Sequence, residues 1–306
     1  MSADGRYSGQ WMILITRGHY RTRVRSALML AVLLELAVLP TTPLGAAVVG
    51  PTPAAVKDDV KPDTNADSGP ATPLDAAIER YRSELIEDVD RAIASVEKLR
   101  SSAAGGDLGA AKQAWIEARV FWERSEVFTG GFAPELDRDI DAWPNGNTGF
   151  HAVEAKLFGA GRTDVAGEVD ALLHSLSDMA ATARIIRLTP QGLLDGLTRL
   201  SYEVGESKLD GGESRISGTS IDDMRHNVDG IELAYGTIFA AAIESRDHAL
   251  HATAQHEIDE LKTLLAPRDL RQLEQEQIRA LSEELVLTLQ SAAPAMALAP
   301  PTLELQ

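Results

Sequence analysis

The apolar residues Ile78, Tyr81, Leu85, Val89, Ala92, Val96 and Leu99 recur at alternating three- and four-residue steps. That period commits the segment to a helix with one buried stripe, because side chains three and four apart share a helix face. Composition extends the argument to the rest of the chain. Ala, Leu, Glu, Asp and Arg abound while aromatic residues make up only 5%, which favours helices over a sheet sandwich built from Val, Ile, Thr and aromatics. The expected fold class is all-α.

Gly105-Gly106 should end this first helix, and Asp107 can cap the next. Ala111, Ala114, Trp115, Ala118, Phe121 and Trp122 then form the inward face of a second helix running to about Phe128. Gly130-Gly131, Pro134, Pro144 and Gly146 mark residues 129–148 as a loop, after which a short helix begins near Gly149. Further helices are predicted over 164–188, over 190–209 behind a Thr189 cap, over 220–265 and over 267–290. The stretch from Ser220 is too long for one ordinary helix and should break between Ser245 and Ala254. Short connections between long amphipathic helices imply antiparallel packing, and this many helices makes two adjoining bundles the expected architecture over 74–290. Residues 291–306, with Pro294, Pro300 and Pro301, read as a flexible tail.

Upstream, residues 1–47 read as a signal-peptide region. Arg17, Arg21, Arg23 and Arg25 form a basic leader, Ala27 to Leu39 a short apolar run, and Gly45-Ala46-Ala47 a small-residue cleavage site. Glu35 interrupts the run, and Met12 is the better-placed start. Residues 48–73, rich in Pro, Thr, Ala, Asp and Gly, read as a disordered tether. The mature protein is therefore expected outside the cytoplasmic membrane, periplasmic or extracellular.

A net charge of -17 argues against nucleic acid as a partner, since phosphate contacts need clustered Lys and Arg. The same charge suits a cation. With no Cys in the chain, thiolate sites and a lipid-modified cysteine are excluded, so a metal site must use His and carboxylate.

Two pairs have the spacing for such a site. Glu123 and Glu126 project from one face of the second helix, and His151 and Glu154 repeat that geometry on the short helix. Glu135, Asp137, Asp139 and Asp141 lie between them and could fold a carboxylate into the gap. One imidazole with several carboxylates suits iron, manganese or zinc and does not suit Cu(I). Taken alone, Glu-x-x-Glu also fits a solvated helix face, and His-x-x-Glu a satisfied histidine with a neighbouring salt bridge. A di-iron centre needs two Glu-x-x-His elements and a zincin needs His-Glu-x-x-His; the chain has neither. His248, His251 and His256 read as an exposed polar stripe.

Gly149-Phe150-His151-Ala152-Val153-Glu154, followed by Lys156-Leu157-Phe158-Gly159, resembles the Gly-x-His-x-x-Glu signature of the imelysin-like family, and of EfeO in particular. Gly106-Asp107-Leu108-Gly109-Ala110-Ala111-Lys112, Trp122-Glu123-Arg124-Ser125-Glu126 and Ile140-Asp141-Ala142 are similar to EfeO segments in the same order. So are Glu203-Val204, Ser207-Lys208, Gly211, Glu213 and Asn227-Val228-Asp229-Gly230. The resemblance spans roughly residues 75–290. It implies two four-helix bundles with a metal between them, held by His151 and Glu154 with Glu123, Glu126, Asp141 and, more weakly, Glu203. It further implies iron, Fe3+ or Fe2+, as the bound ion, with Zn2+ or Mn2+ as other possibilities. The implied partners are a membrane iron permease and a Dyp-type peroxidase of an EfeUOB-like uptake system. The loop between Asp141 and His151 is shorter than in typical EfeO, and no cupredoxin domain precedes the helices, so the chain resembles a short EfeO form. A binding protein without catalysis is the expected function. The alternatives are a metal-dependent peptidase, which the family's name suggests but no recognisable catalytic motif supports, and a polysaccharide-binding protein, for which few aromatics are free to stack on sugars.

Overall fold

A computed structural model describes residues 72–141, 147–209, 213–267 and 269–303. The expected leader over 1–47 and most of the tether lie outside the described residues. The first helix, α1 (Pro73–Ala104), starts where Thr72 and Asp75 cap each other: the Asp75 N–H donates to Thr72 Oγ1 at 3.1 Å and the Thr72 N–H to Asp75 Oδ2 at 2.7 Å. Pro73 occupies the first turn, where its missing N–H costs nothing. The stripe from Ile78 to Leu99 is buried throughout. Gly106 at φ 75° closes the helix, and Asp107 Oδ1 accepts from the Ala110 N–H at 2.9 Å to open the next.

That next helix, α2 (Leu108–Phe132), is the axis of the molecule. One face, bearing Ala111, Ala114, Trp115, Ala118 and Trp122, is wholly buried and packs along α1. Phe121 falls one position off this stripe, so it is only half-buried and lies under Arg91, 5.7 Å from the guanidinium. The opposite side packs on α6 (Pro190–Gly205) and α7 (Ser220–Ala234). Gly130-Gly131 does not break α2 as the sequence suggests. These glycines meet Gly192 and Gly196 of α6 so closely that a Cβ on Gly131 would stand 2.1 Å from the Gly192 carbonyl oxygen, and one on Gly196 2.0 Å from that of Val127. The glycines permit a close helix crossing and cost only some local helix propensity.

The remainder of the predicted loop holds a further helix, α3 (Pro134–Ile140), and then α4 (Gly149–Glu154), which runs into a single π-helical turn, Ala155–Gly159. With α5 (Ala166–Ile185) these pack beside α1 and α2 as a first bundle. The second is built from α6, α7, α9 (His248–Leu264) and α10 (Gln275–Ala292). The long stretch from Ser220 breaks within the predicted window. A π-helical turn (Tyr235–Phe239) and α8 (Ala240–Glu244) follow α7, and Asp247 re-caps the chain into α9 by accepting from the Leu250 N–H at 2.9 Å. The all-α fold of two adjoining bundles is thus as expected, with α2 as their common wall; the described residues contain no strand and no helix long and apolar enough to cross a membrane.

The end of the chain differs from expectation. Gln191 Nε2 donates to the Ala299 carbonyl at 3.1 Å, Gln191 Oε1 accepts from its N–H at 2.9 Å, and Gln290 Nε2 donates to the Pro301 carbonyl at 2.9 Å. Residues 293–303 are therefore docked against α6 and α10, because two Gln amides satisfy the backbone groups that Pro-rich segments leave over.

The crossing is testable. Gly196→Ala should lower stability by about 1–3 kcal/mol, the range for an overpacked core. Gly167→Ala in α5, where a Cβ meets nothing within 4 Å, should leave stability unchanged or raise it. Urea unfolding followed by circular dichroism distinguishes the two; equal midpoints would mean that the helices separate freely at this crossing.

Candidate metal centre

The charged face of α2 carries Arg119, Glu123 and Glu126, spaced four and three apart, and all three are buried: Glu123 is 0% and Glu126 7% exposed. Such a face requires internal counter-charges, since an unpaired buried ion costs several kcal/mol. Arg119 supplies one. Its guanidinium pairs with Glu123 and Asp141, and its Nη2 lies 3.3 Å from Glu213 and 3.1 Å from Asp223. Lys208 supplies the other, with Nζ donating to Glu123 Oε2 at 3.1 Å, Glu126 Oε2 at 2.9 Å and Glu213 Oε1 at 3.0 Å. Asn227 of α7 adds a neutral donor, its Nδ2 bonding Glu123 Oε2 at 2.8 Å and also Glu126.

Asp141 and His151 reach this cluster from the end of α3 and the start of α4. Gly149 makes their approach possible. Its φ is 63°, and a Cβ there would sit 2.2 Å from the Ile140 carbonyl oxygen, so the chain tucks onto itself at a point only glycine allows. The indole Nε1 of Trp115 donates to the Phe150 carbonyl at 3.0 Å and ties this turn to α2.

His151 is 9% exposed. Its Nδ1 lies 2.9 Å from Glu154 Oε2, and Glu154 Oε1 accepts from both the N–H and the Oγ–H of Ser217, each at 2.7 Å. Burial pushes the Glu154 carboxyl up, but the bonds from His151 and Ser217 outweigh it and hold the group below the usual carboxylate range. An anionic Glu154 can only accept, so Nδ1 carries the hydrogen and Nε2 is the nitrogen turned toward Asp141. That Nε2 has no hydrogen-bond partner and stands 3.4 Å from Asp141 Oδ1. The same Asp141 Oδ1 also meets Arg119, and the gap between imidazole and carboxyl is one that either a proton on Asp141 or a bound cation satisfies.

Donor atoms of Asp141, His151 and Glu213 lie within 4.8 Å of one another, as do those of Glu123, Glu126, Asp141 and Glu213. Asp141 and Glu213 belong to both groups. A cavity of about 150 Å³ reaches them from solvent, its walls including Glu126, Asp137, Glu203 and Ser207. Burial holds Asp141 well above its usual range against the pull of Arg119, with Glu213 and Glu123 adding to the shift, and holds Glu126 up for the same first reason. Asp223 is pushed up to about 7 by burial, again against Arg119. Burial also pushes Glu213 up, but Lys208 and Arg119 prevail and keep it ionised. In the metal-free protein, protons on these acids do part of a cation's work.

The sequence-predicted residues thus divide. Glu123, Glu126, Asp141 and His151 converge, although Lys208 and Asn227 already engage the two glutamates. Glu154 lies behind the imidazole and orients it. Glu203 stands at the cavity wall, bound by Arg199 Nε at 2.8 Å. Sequence reasoning passed over Glu213 as a donor, and Arg119, Lys208 and Asp223 as parts of the site. The histidines at 248, 251 and 256 take no part; His251 instead lies with its Nδ1 2.9 Å from the Tyr235 hydroxyl. Trp115 and Trp122 are fully buried, as expected.

Residues 77–148 and 145–296 match the family model for imelysin, labelled Peptidase M75. The chain belongs to the imelysin family. Among other members, the Efem/EfeO family lipoprotein of Staphylococcus haemolyticus (strain JCSC1435) is 28% identical over 63% of this chain and 70% of its own length. The iron uptake system component EfeM of Pseudomonas syringae pv. syringae (strain B728a) is 26% identical over 63% and 72%. The crystal structure of a putative iron-regulated protein A precursor from Parabacteroides distasonis ATCC 8503 superposes with a TM-score of 0.56 at 17% identity, covering 75% of this chain and 97% of that one. That likeness shows that the imelysin fold is common to both.

A pH consequence follows from the raised acids. Between the unfolded carboxylate range near 4 and the value of about 7 for Asp223, the folded state holds more protons than the unfolded, so stability falls as pH rises. Glu213 and Glu154 are ionised in both states above pH 5 and contribute no slope there. The metal-free protein should therefore melt at a lower temperature at pH 7.5 than at pH 5.5. Scanning calorimetry in chelator-treated buffer reads the sign directly; a higher melting point at pH 7.5 contradicts the assignment of buried protonated acids.

Proposed function

We propose that this chain is an exported iron-binding protein of an uptake system, which captures the ion outside the cytoplasmic membrane and presents it to a membrane permease. The names of its relatives support the uptake role and, where they read lipoprotein, a place in the cell envelope. The observation that carries the reading is the unpartnered Nε2 of His151, fixed by Glu154 and directed at Asp141 beside Glu213. The ion binds at the corner formed by His151 Nε2, Asp141 and Glu213. A mixed imidazole and carboxylate set suits iron, and would also accept Zn2+ or Mn2+.

In this reading each residue has a separate task. His151 is the borderline ligand, and Asp141 and Glu213 are the hard ones. Glu154, held by Ser217, keeps the imidazole turned and its free nitrogen basic, the arrangement by which an outer carboxylate strengthens a metal-bound histidine. Glu203, paired with Arg199, lines the route from solvent together with Arg138 and with Asp137, whose carboxyl is pushed up by burial. Delivery requires release, and release is favoured by acid: entry of the metal expels the proton that Asp141 holds, so protons compete for the same oxygens. A permease and a Dyp-type peroxidase are the partners this role implies.

Calorimetric titration with Fe(III), Fe(II) and Zn(II) tests the site. His151→Ala should abolish tight binding, and Glu154→Gln should weaken it by about 10–100-fold, with affinity falling from pH 7.5 to pH 5.5. Wild-type affinity in a His151→Ala/Glu154→Ala variant would rule this corner out.

A further inference from the structure

Arg119 borders both overlapping donor groups through Asp141 and Glu213, but the two differ in one respect: an ammonium reaches every glutamate of one of them, while the other contains an imidazole nitrogen without a hydrogen-bond partner. Lys208 Nζ lies among Glu123, Glu126 and Glu213, with its three hydrogens directed to three carboxylates at 2.9 to 3.1 Å. These are the oxygens that, with Asp141, form the second group of potential ligands. The ammonium is compact and carries a single charge, and it stands where a metal ion bound by Glu123 and Glu126 would stand. His151 Nε2 has no such occupant.

We infer that Lys208 fills a second cation subsite, composed of Glu123, Glu126 and Glu213, and thereby restricts the centre to one metal ion. This rests on the reading of His151, Asp141 and Glu213 as the ion's ligands. Asp141 and Glu213 border both subsites, so a second ion would share their oxygens with the first, as bridging carboxylates do in two-metal centres. Lys208 prevents this by holding Glu123, Glu126 and Glu213 with a charge that cannot diffuse away. Five acids converge here (Glu123, Glu126, Asp141, Glu213 and Asp223), and Arg119 and Lys208 are the cations bonded to them. Arg119 is ringed by four of these acids and lies over the rings of Trp115 and Phe150, 5.7 and 5.3 Å away, which meet edge to face, so it is fixed in place. Lys208 borders the cavity and is the replaceable one.

The arrangement also bears on which ion is kept. A centre with room for two ions would hold a pair of iron atoms through shared carboxylates and release them slowly. With the ammonium in place, the ion would be held by one imidazole and two carboxylates, and Asp141 and Glu213 among these border the cavity open to solvent.

The test is stoichiometry. Chelator-treated wild type and Lys208→Gln, loaded with excess Zn(II) or Fe(II), desalted and measured by elemental analysis, should retain one and two ions per chain. Lys208→Arg should retain one. The deciding variant is His151→Ala/Lys208→Gln: His151→Ala alone should retain none, and the added Lys208→Gln should restore one ion, now on the carboxylates. Circular dichroism confirms that each variant is helical before loading. One ion in Lys208→Gln together with none in the double variant overturns the inference while leaving the His151 corner intact. Two ions in wild type overturn it as well. No ion in wild type overturns the His151 corner itself, and the inference with it.

Discussion

Arg119 is the residue around which the rest of the molecule is arranged. A guanidinium buried to this degree survives only when several anions surround it, and here Glu123 from its own helix, Asp141 from the end of α3, Glu213 from the turn before α7 and Asp223 from α7 all do so. Two stretches far apart in sequence, residues 119–141 and 213–223, are thereby drawn to one point. The pairing runs both ways: the acids also need the guanidinium, because a carboxylate cluster in a helix interface would otherwise be protonated throughout or hydrated. That balance leaves a partly protonated, anion-rich centre inside a hydrophobic frame, which is the condition for holding a multivalent cation reversibly.

The frame is α2. Most helices of a bundle bury one face and expose the other. This one buries two, an aromatic and alanine face toward α1 and a charged face toward α6 and α7. The glycines at the crossing with α6, together with Gly230, where a Cβ would lie 2.5 Å from the Arg124 carbonyl oxygen, bring the second bundle close enough for Lys208 and Asn227 to reach the α2 glutamates. Packing and chemistry therefore share the same backbone distances.

The sequence was most legible where periodicity speaks. The α1 stripe, its end at Gly105-Gly106, the Asp107 and Thr189 caps and the break after Glu244 all follow from spacing and local side-chain chemistry, whereas Thr72, which caps α1 with Asp75, lies in what reads as tether. Gly130-Gly131 was not legible, because a glycine pair that ends a helix and one that admits a neighbouring helix look identical in one dimension; only Gly192 and Gly196 of α6, on another segment, decide between them. Within the site, the two acidic pairs stood out through their three-residue spacing. Glu213 and Lys208 did not, since Lys208 lies just past the end of α6 and Glu213 before the start of α7, where no period selects them. Arg119 could have been suspected: it lies on the face of Glu123 and Glu126, one turn before Glu123, where a buried acidic face would require a cation. Asp223, on the first turn of α7, looks like an ordinary response to the helix dipole.

The turn from Glu213 to Ser217 carries two attachments at once. Glu213 enters the cluster at one end and Ser217 grips Glu154 at the other, while Ser214 between them adopts φ 44°, uncommon for a residue with a side chain. Ile216 is 51% exposed at its tip, so by exposure alone this would be a place where evolution freely adds and deletes residues. It is not free. One inserted residue would swing either the glutamate or the serine out of reach, so relatives that keep both contacts must keep the same residue count between them, whatever else varies on the surface.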